Sequence, residues 1–472
     1  MRGSTDEEEH GGAGGAARYR RRQDGDGPGG AGRAPRGGVL PGERALAPDL
    51  ARGMMLLLIV LSNTAFHLWA AQHGPSGWHP VDGSWLDRAV RFAMIVGLDL
   101  RAYPLFAFLF GYGMMQLFLR QRAHGTSERT AVALLRRRGL WLVVFGFAHA
   151  ALLMAGDIIG SYGVASLVLV WLFIRRGDRV LLAGAAVFAL LIAVPAAQAA
   201  WSLAAHGLEG VGGAGAEPSY LAYAAQEEDP LAAAGTRLLT WAFVTLAGGL
   251  LSFGGFAMIL LGFWAARRRV LEEPHRHLRL LGWTAAVGIP VGWLGGLPSA
   301  LVHAGLVGAA PGAVGDGGPL PAVQAATGLA CGLGYVALFA LAAHGLSRRG
   351  GVGRTGAGRA VTAVAALGRR SMSGYMAHSL LFSPLLAAWG LGLGAHLNSA
   401  SMAAFALAVW LVTVVAAYAL ERAGRPGPAR PSICSVGSST AGPARGGGRR
   451  ALPVPEPGQL VAQDPVGGGQ VP

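Results

Sequence analysis

Three properties of this sequence point to an all-α protein, a polytopic transmembrane helical bundle of about ten spans. Ten apolar stretches recur from Met54 to Leu420 with few charges inside them, each close to the roughly 20 residues of helix that cross a hydrocarbon core of about 30 Å. Hydrophobic residues make up 52% of the 472 and charged residues only 14%, with a mean hydropathy of +0.43. That leaves too little polar surface for a domain in water. The arginines, finally, fall almost entirely in alternate loops.

Residues 1–43 mix Gly, Arg and acidic runs such as Asp6-Glu7-Glu8-Glu9 with almost no large apolar side chains. Nothing there offsets the entropy of ordering, so a disordered cytoplasmic tail is expected. The first apolar run starts beyond residue 50, is long and lacks a convincing cleavage site, which predicts a retained span rather than a signal peptide. The expected spans are 53–71, 98–119, 139–155, 159–174, 180–203, 238–265, 280–304, 320–346, 371–391 and 401–420. Of the 39 basic residues, all Arg, 35 lie in the termini and in the loops around 120–138, 175–179, 267–279 and 348–370. Arg88, Arg91 and Arg237 fall on the other side, and Arg101 is in or near a span. The positive-inside rule then places both termini on the cytoplasmic side of the membrane. The largest outer loop, 204–236, carries Glu217, Glu227, Glu228 and Asp229 and has room for a short interfacial helix or a lid. Residues 425–472 are rich in Pro and Gly without periodicity, a low-complexity tail.

The net charge of +14 and pI of about 10.9 come from short clusters beside the spans. Anionic lipid headgroups, rather than nucleic acid, are the expected counter-charge. Two cysteines, Cys331 in a span and Cys434 in the tail, offer neither a disulfide framework nor a metal site. No phosphate loop, zinc motif or nucleotide fingerprint occurs. No cofactor or metal is therefore expected from motifs.

Ionisable groups inside a span cost about 2.5–3.5 kcal/mol on insertion scales, so each is a candidate functional residue. In the first span Asp49 and Arg52 are three apart and can pair at the cytoplasmic boundary. Asn63, eleven residues after Arg52, returns to within about 20° of the same helical face roughly 16 Å further on, and His67 follows one turn later. This stripe is equally well read as inter-helix glue. At the second span Asp99 and Arg101 stand at the outer edge before Pro104, and Phe110-Gly111-Tyr112-Gly113 favours close helix packing, with Tyr112 a candidate for lining a cavity. The third span places His149 in the bilayer and Asp157 in the short outer turn after it. A solvated aspartate is one reading, and a carboxylate-oriented imidazole for proton transfer the other. In the ninth span Ser371, Tyr375 and His378 recur at i, i+4 and i+7 as one polar stripe, with Arg369 and Arg370 just below it. A Ser/His pair without a positioned acid is weak evidence for a nucleophilic triad.

Several of these segments together resemble the YeiB-like bacterial membrane proteins of the domain-of-unknown-function family 418. They are PDLARG (48–53), LFGYG (109–113), GFAHAALLMAGDI (146–158) and GRRSMSGYMAHS (368–379), with ILLGFWAARRRVL (259–271) and GLGYVALF (332–339) between. The four main motifs keep their order across about 44–424, and the resemblance implies architecture more than mechanism. The opening is also similar to that of integral-membrane acyltransferases, in which a DxxRG stretch leads to a His in the first span. This chain has Asn63 at that place, and Asn cannot act as a general base. Pro48 stands where the family usually has Leu, and His378 where relatives commonly carry Gln. After Gly427-Pro428-Ala429 the family's GPxEWLxR-like continuation gives way to Arg430 and low-complexity sequence, as a frameshift near 425–430 would produce.

The resemblance leads to an acyltransferase-like reading. Arg52, Arg369 and Arg370 would hold the phosphates of a donor such as acyl-CoA, and His67, His149 or His378 would act as base toward an envelope lipid, glycan or metabolite. Asp49, Asn63, Asp99, Arg101, Tyr112, Ser371 and Tyr375 complete the binding candidates, and Asp157 the catalytic ones. The alternatives are a transporter or exporter, in which Asp49, Asp99, His149, Asp157 and His378 carry protons or bind solute, and a non-catalytic membrane scaffold.

Overall fold

The computed structural model describes residues 45–156, 158–348 and 356–424. The expected tails at 1–43 and 425–472, and Asp157, lie outside the described residues. The described chain is all helical, with seven helices long and apolar enough to cross a membrane, the arrangement of a multi-pass membrane protein.

α1 (Leu46–Ser62) continues into a 3-10 turn, Asn63–His67. α2 (Trp85–Gly97) is short and outside the spans. α3 (Ala102–Ala123), α4 (Glu128–Leu152), α5 (Ile158–Phe173), α6 (Asp178–His206), α7 (Pro230–Leu251) and α8 (Phe253–Arg267) follow. α9 (Leu278–His303), α10 (Pro319–Arg348), α11 (Gly356–Arg369), α12 (Ser371–Leu386) and α13 (Ser399–Arg422) complete the bundle.

Local sequence sets these ends. Ser84 and Asp87 form a reciprocal capping box at α2, and Asn398 and Ser401 form another at α13. Ser127 caps α4, and Asp229 caps α7 ahead of Pro230. Each supplies oxygen to an N–H that the helix cannot pair internally. Pro48 falls in the first turn of α1, where its missing N–H removes no helical bond.

The structure differs from the sequence expectation at three spans. The stretch 238–265 is two helices, α7 and α8, broken at Ser252 (φ −73°, ψ 67°). The span expected over 371–391 stops at Leu386, a helix of 16 residues, with Pro384 in its last turn. The third span is the second half of α4, which starts eleven residues earlier at Glu128 and carries Arg136, Arg137 and Arg138 through its middle.

α3 and α8 lie at the centre and touch backbone to backbone. A Cβ on Gly111 would stand 2.4 Å from Ile259 O, and one on Gly262 2.3 Å from Phe108 O. Around them α6, α7 and α9 leave most of their apolar surface uncovered, including Leu190, Trp201, Leu239, Phe243 and Leu294. Such a surface suits the lipid tails that membrane-crossing helices meet. The 204–229 loop folds back over the segment after α1. Ala216 N–H donates to Pro75 O (2.8 Å), Ser219 N–H to Gly77 O (2.7 Å), and Tyr223 stacks on Phe66 at 4.0 Å.

Candidate functional site

A cavity of about 780 Å³ opens at the end of the bundle where α1 begins and runs inward between α1, α3, α4, α5, α12 and the segment after α8. Its lining along α3 extends from Phe106 to beyond Arg120 and Ala123 to His124, about 27 Å of helix at 1.5 Å per residue. The two ends differ in chemistry. Arg52, Arg120, Arg138, Arg269 and Arg369 line it together with only two carboxylates, Asp49 and Glu272. Further in, the walls are Phe106, Leu109, Phe110, Leu142, Ile158 and Ile159 with Tyr162 and Tyr375. The Arg269 side chain, 65% exposed, marks the open end.

Periodicity places the polar wall. On α3, Tyr112, Gln116 and Arg120 recur at i, i+4 and i+8 and so form one stripe. Tyr112 Oη and Gln116 Nε2 both donate to Glu272, and Leu271 N–H donates to Tyr112 Oη (3.2 Å). Arg120 folds back on Gln116, with Nε to its carbonyl at 3.2 Å and Nη2 to Oε1 at 3.3 Å. The turn after α8 is thereby clamped to α3, and within it Arg269 adopts a left-handed conformation (φ 55°) while pairing with Glu273 (2.8 Å). A non-glycine residue held there costs of order 1 kcal/mol and needs such support.

On the facing wall Arg52 Nη1 lies 3.5 Å from Asp49 Oδ1, the i, i+3 pair expected from sequence. Arg369 joins them, 3.9 Å from Asp49 Oδ2, and also reaches Glu421 Oε1 at 3.0 Å. Arg370 turns away from the cavity to Glu421 and to Ala366 O (3.3 Å). Ser371 and Tyr375 line the cavity, and behind Tyr375 the His149 ring packs at 5.4 Å between centroids. Asp49, Arg52, Arg369, Ser371 and Tyr375 are thus brought together.

The other sequence candidates stand elsewhere. The α-helical register assumed for Arg52, Asn63 and His67 ends at Ser62, because Asn63–His67 is 3-10, which advances about 120° per residue rather than 100°. Asn63 Nδ2 meets Met154 Sδ at 3.9 Å, while His67 is buried against Phe382 at 5.6 Å. His378 Nε2 is 2.9 Å from Thr413 Oγ1. Tyr112 touches Glu272, a lining residue, without lining the cavity itself.

Asp99 and Arg101 belong to a separate buried cluster near the opposite end. Asp99 Oδ2 pairs with His79 Nε2 at 2.7 Å, and the His303 ring lies 5.9 Å from that of His79. Arg101, fully buried, donates to the carbonyls of Ile95 (3.1 Å), Asp99 and Gly292 (2.5 Å). Leu100 between them is left-handed (φ 60°).

Arg120, His124, Arg138, Arg269 and Glu272 were missed as site residues. In the sequence they fall among the loop charges that set orientation, and only the α3 stripe signalled a shared face. Among the described residues no group of three or more His, Cys, Asp or Glu side chains is arranged to hold a metal ion.

Residues 265–430 match the model of a family described as protein of unknown function, DUF418. The chain is 27% identical over 270 residues to the uncharacterized protein YxaH of Bacillus subtilis (strain 168), covering 54% of this chain and 66% of YxaH. It is 32% identical over 144 residues to the uncharacterized protein YeiB of Escherichia coli (strain K12), covering 29% of this chain and 33% of YeiB. The alignments therefore span less than two thirds of either relative. No solved structure matches the chain.

Proposed function

We propose that this chain, a member of the DUF418 family through residues 265–430, binds an anionic amphiphile of the acyl-CoA class and passes its acyl group to a hydroxyl of an envelope lipid, glycan or metabolite. One observation carries the reading: a single cavity has five arginines toward one end and an apolar interior toward the other. Guanidinium groups recognise phosphate through forked, charge-assisted hydrogen bonds, and the apolar end takes a hydrocarbon chain.

In this reading about ten crossings place both termini, and the mouth of the cavity, on the cytoplasmic side. Arg52 and Arg369 hold the donor's phosphates with Arg120, Arg138 and Arg269, while Arg370 serves Glu421 instead. His149, packed on Tyr375 at the inner end, is the base. It takes the proton of the acceptor hydroxyl through the cavity-lining Tyr375 hydroxyl as the oxygen attacks the thioester carbonyl. A C–O bond forms, the C–S bond breaks, and the proton passes to the leaving thiolate, which departs as free thiol.

Palmitoyl-CoA binding to the purified full chain tests the site. Saturable binding is expected, weakened roughly 10- to 150-fold by Arg52→Ala, since one charge-assisted bond is worth about 1.5–3 kcal/mol. His149→Ala should keep the binding and lose thiol release in the presence of source-membrane lipids. Absence of binding, or binding by Arg52→Ala and Arg138→Ala that equals wild type, would refute the assignment.

A further inference from the structure

α12 carries a second set of polar groups that the cavity does not use. From Tyr375, at the inner wall, the buried face of this helix continues through His378, Ser379, Phe382 and Ser383, a rise of about 12 Å from Tyr375 to Ser383. At its far end sits His67, brought there by the 3-10 turn after α1 and packed edge-on against Phe382 at 5.6 Å. Trp69 Nε1 holds this turn to α12 through Leu386 O (3.1 Å).

These groups are enclosed and their hydrogen-bonding capacity is not met by the protein. His67 is 4% exposed, and neither Nδ1 nor Nε2 has a protein partner. His378, also 4% exposed, uses Nε2 on Thr413 and leaves Nδ1 without one. Ser383 Oγ, in a residue 1% exposed, has none. A buried polar atom without a partner costs about 1–3 kcal/mol, and four such atoms belong to α12 and to the turn packed against its Phe382. Buried polar atoms that lack protein partners are ordinarily satisfied by internal water. Imidazole can both accept and donate a proton, which serine and water hydrogen bonds can relay.

We infer that His67, His378 and Ser383 are bridged by a file of water along α12, and that this file conducts protons between the arginine-lined cavity and the opposite end of the bundle. The inference rests on these atoms and not on the ligand of the cavity. It adds proton movement to a chain whose acyl transfer would otherwise be electrically silent.

The test is the full-length protein reconstituted in phosphatidylethanolamine/phosphatidylglycerol vesicles with a pH-sensitive dye inside. An external pH step is applied, with valinomycin and potassium to clamp the potential. The protein should dissipate the gradient several-fold faster than protein-free vesicles. His67→Phe and Ser383→Ala should each lose most of that excess, and Arg88→Gln, at an exposed position of α2, should keep it. Unchanged palmitoyl-CoA binding by His67→Phe separates this result from the cavity assignment. Wild-type flux at the protein-free level, or full flux in both variants, overturns the inference. Should His67→Phe fail to fold, judged by elution and helical circular dichroism, Ser383→Ala, which removes one oxygen, decides alone.

Discussion

Asp49 shows how much one side chain can organise. It is buried, pairs with Arg52 on its own helix, and receives Arg369 from the junction of α11 and α12. Its carbonyl meets that junction so closely that a Cβ on Gly368 would stand 1.7 Å away. The obstructing atom is backbone on both sides, so Gly368→Ala cannot be relieved by a rotamer change. It is expected to cost more than about 3 kcal/mol and to lower the thermal midpoint of the purified protein strongly. Gly345→Ala, with open space around the Cβ, should leave it nearly unchanged. At this scale the Asp49–Arg52 pair was legible, because i, i+3 spacing on a helix is a property of the local chain. The partnership with Arg369, 320 residues away, was not, since no local rule relates the two.

At the scale of the element, α2 illustrates a contact with a pH signature. Burial works to raise the Asp87 carboxyl, but the hydrogen bonds from Ser84 and from the Ala400 N–H at the start of α13, with Arg91 nearby, hold it below the usual carboxylate range. A lowered folded value means that the ionised form stabilises the folded protein. That contribution is complete above the unfolded value of about 3.9 and is lost as pH falls through the folded one. Asp87→Asn should therefore lower the thermal midpoint at neutral pH, and the gap to wild type should close on acidification toward and below that range. A gap that stays constant with pH would mean that the cap acts only sterically. The capping box itself, Ser84-Trp85-Leu86-Asp87, was readable in the sequence as a pattern, yet the helix it starts was not predicted. α2 lies outside any apolar run long enough to register as a span. The break at Ser252 was hidden for the complementary reason. The apolar residues run on through 238–265, and hydropathy reports residence in lipid without reporting the backbone angle at one serine.

The whole molecule separates its polar chemistry by end. The cavity with its arginines lies where α1 begins, and the His79–Asp99–His303 cluster lies near the opposite end, covered by the loops 68–84 and 204–229. The orientation inferred from arginine predicts which end faces which side. With Cys331 and Cys434 changed to alanine, Arg129→Cys and Ala423→Cys should be labelled by an impermeant maleimide only from the cytoplasmic side in cells or inverted vesicles. Gly212→Cys should be labelled only from the other. Labelling of Ala423→Cys and Gly212→Cys from the same side would contradict the proposed number of crossings.

By itself the sequence determined the all-α class, the apolar character of the helices and the similarity to DUF418 proteins, since these depend on composition, on 3.6-residue periodicity and on motifs contiguous in the chain. It also supplied Asp49, Arg52, Arg369, Ser371 and Tyr375 as candidates, because polar groups at the ends of apolar helices stand out against their neighbours. Only the tertiary structure decided which of them share a cavity. It added Arg120, Arg138, Arg269 and Glu272, turned Arg370 to Glu421, and moved His67 to Phe382 by changing one helical turn from α to 3-10. The physical reason is common to all four. A pairing between distant helices is set by which faces pack together, and packing is settled by the close approach of α3 to α8 and of α1 to the α11–α12 junction, where glycine leaves room for backbone to meet backbone.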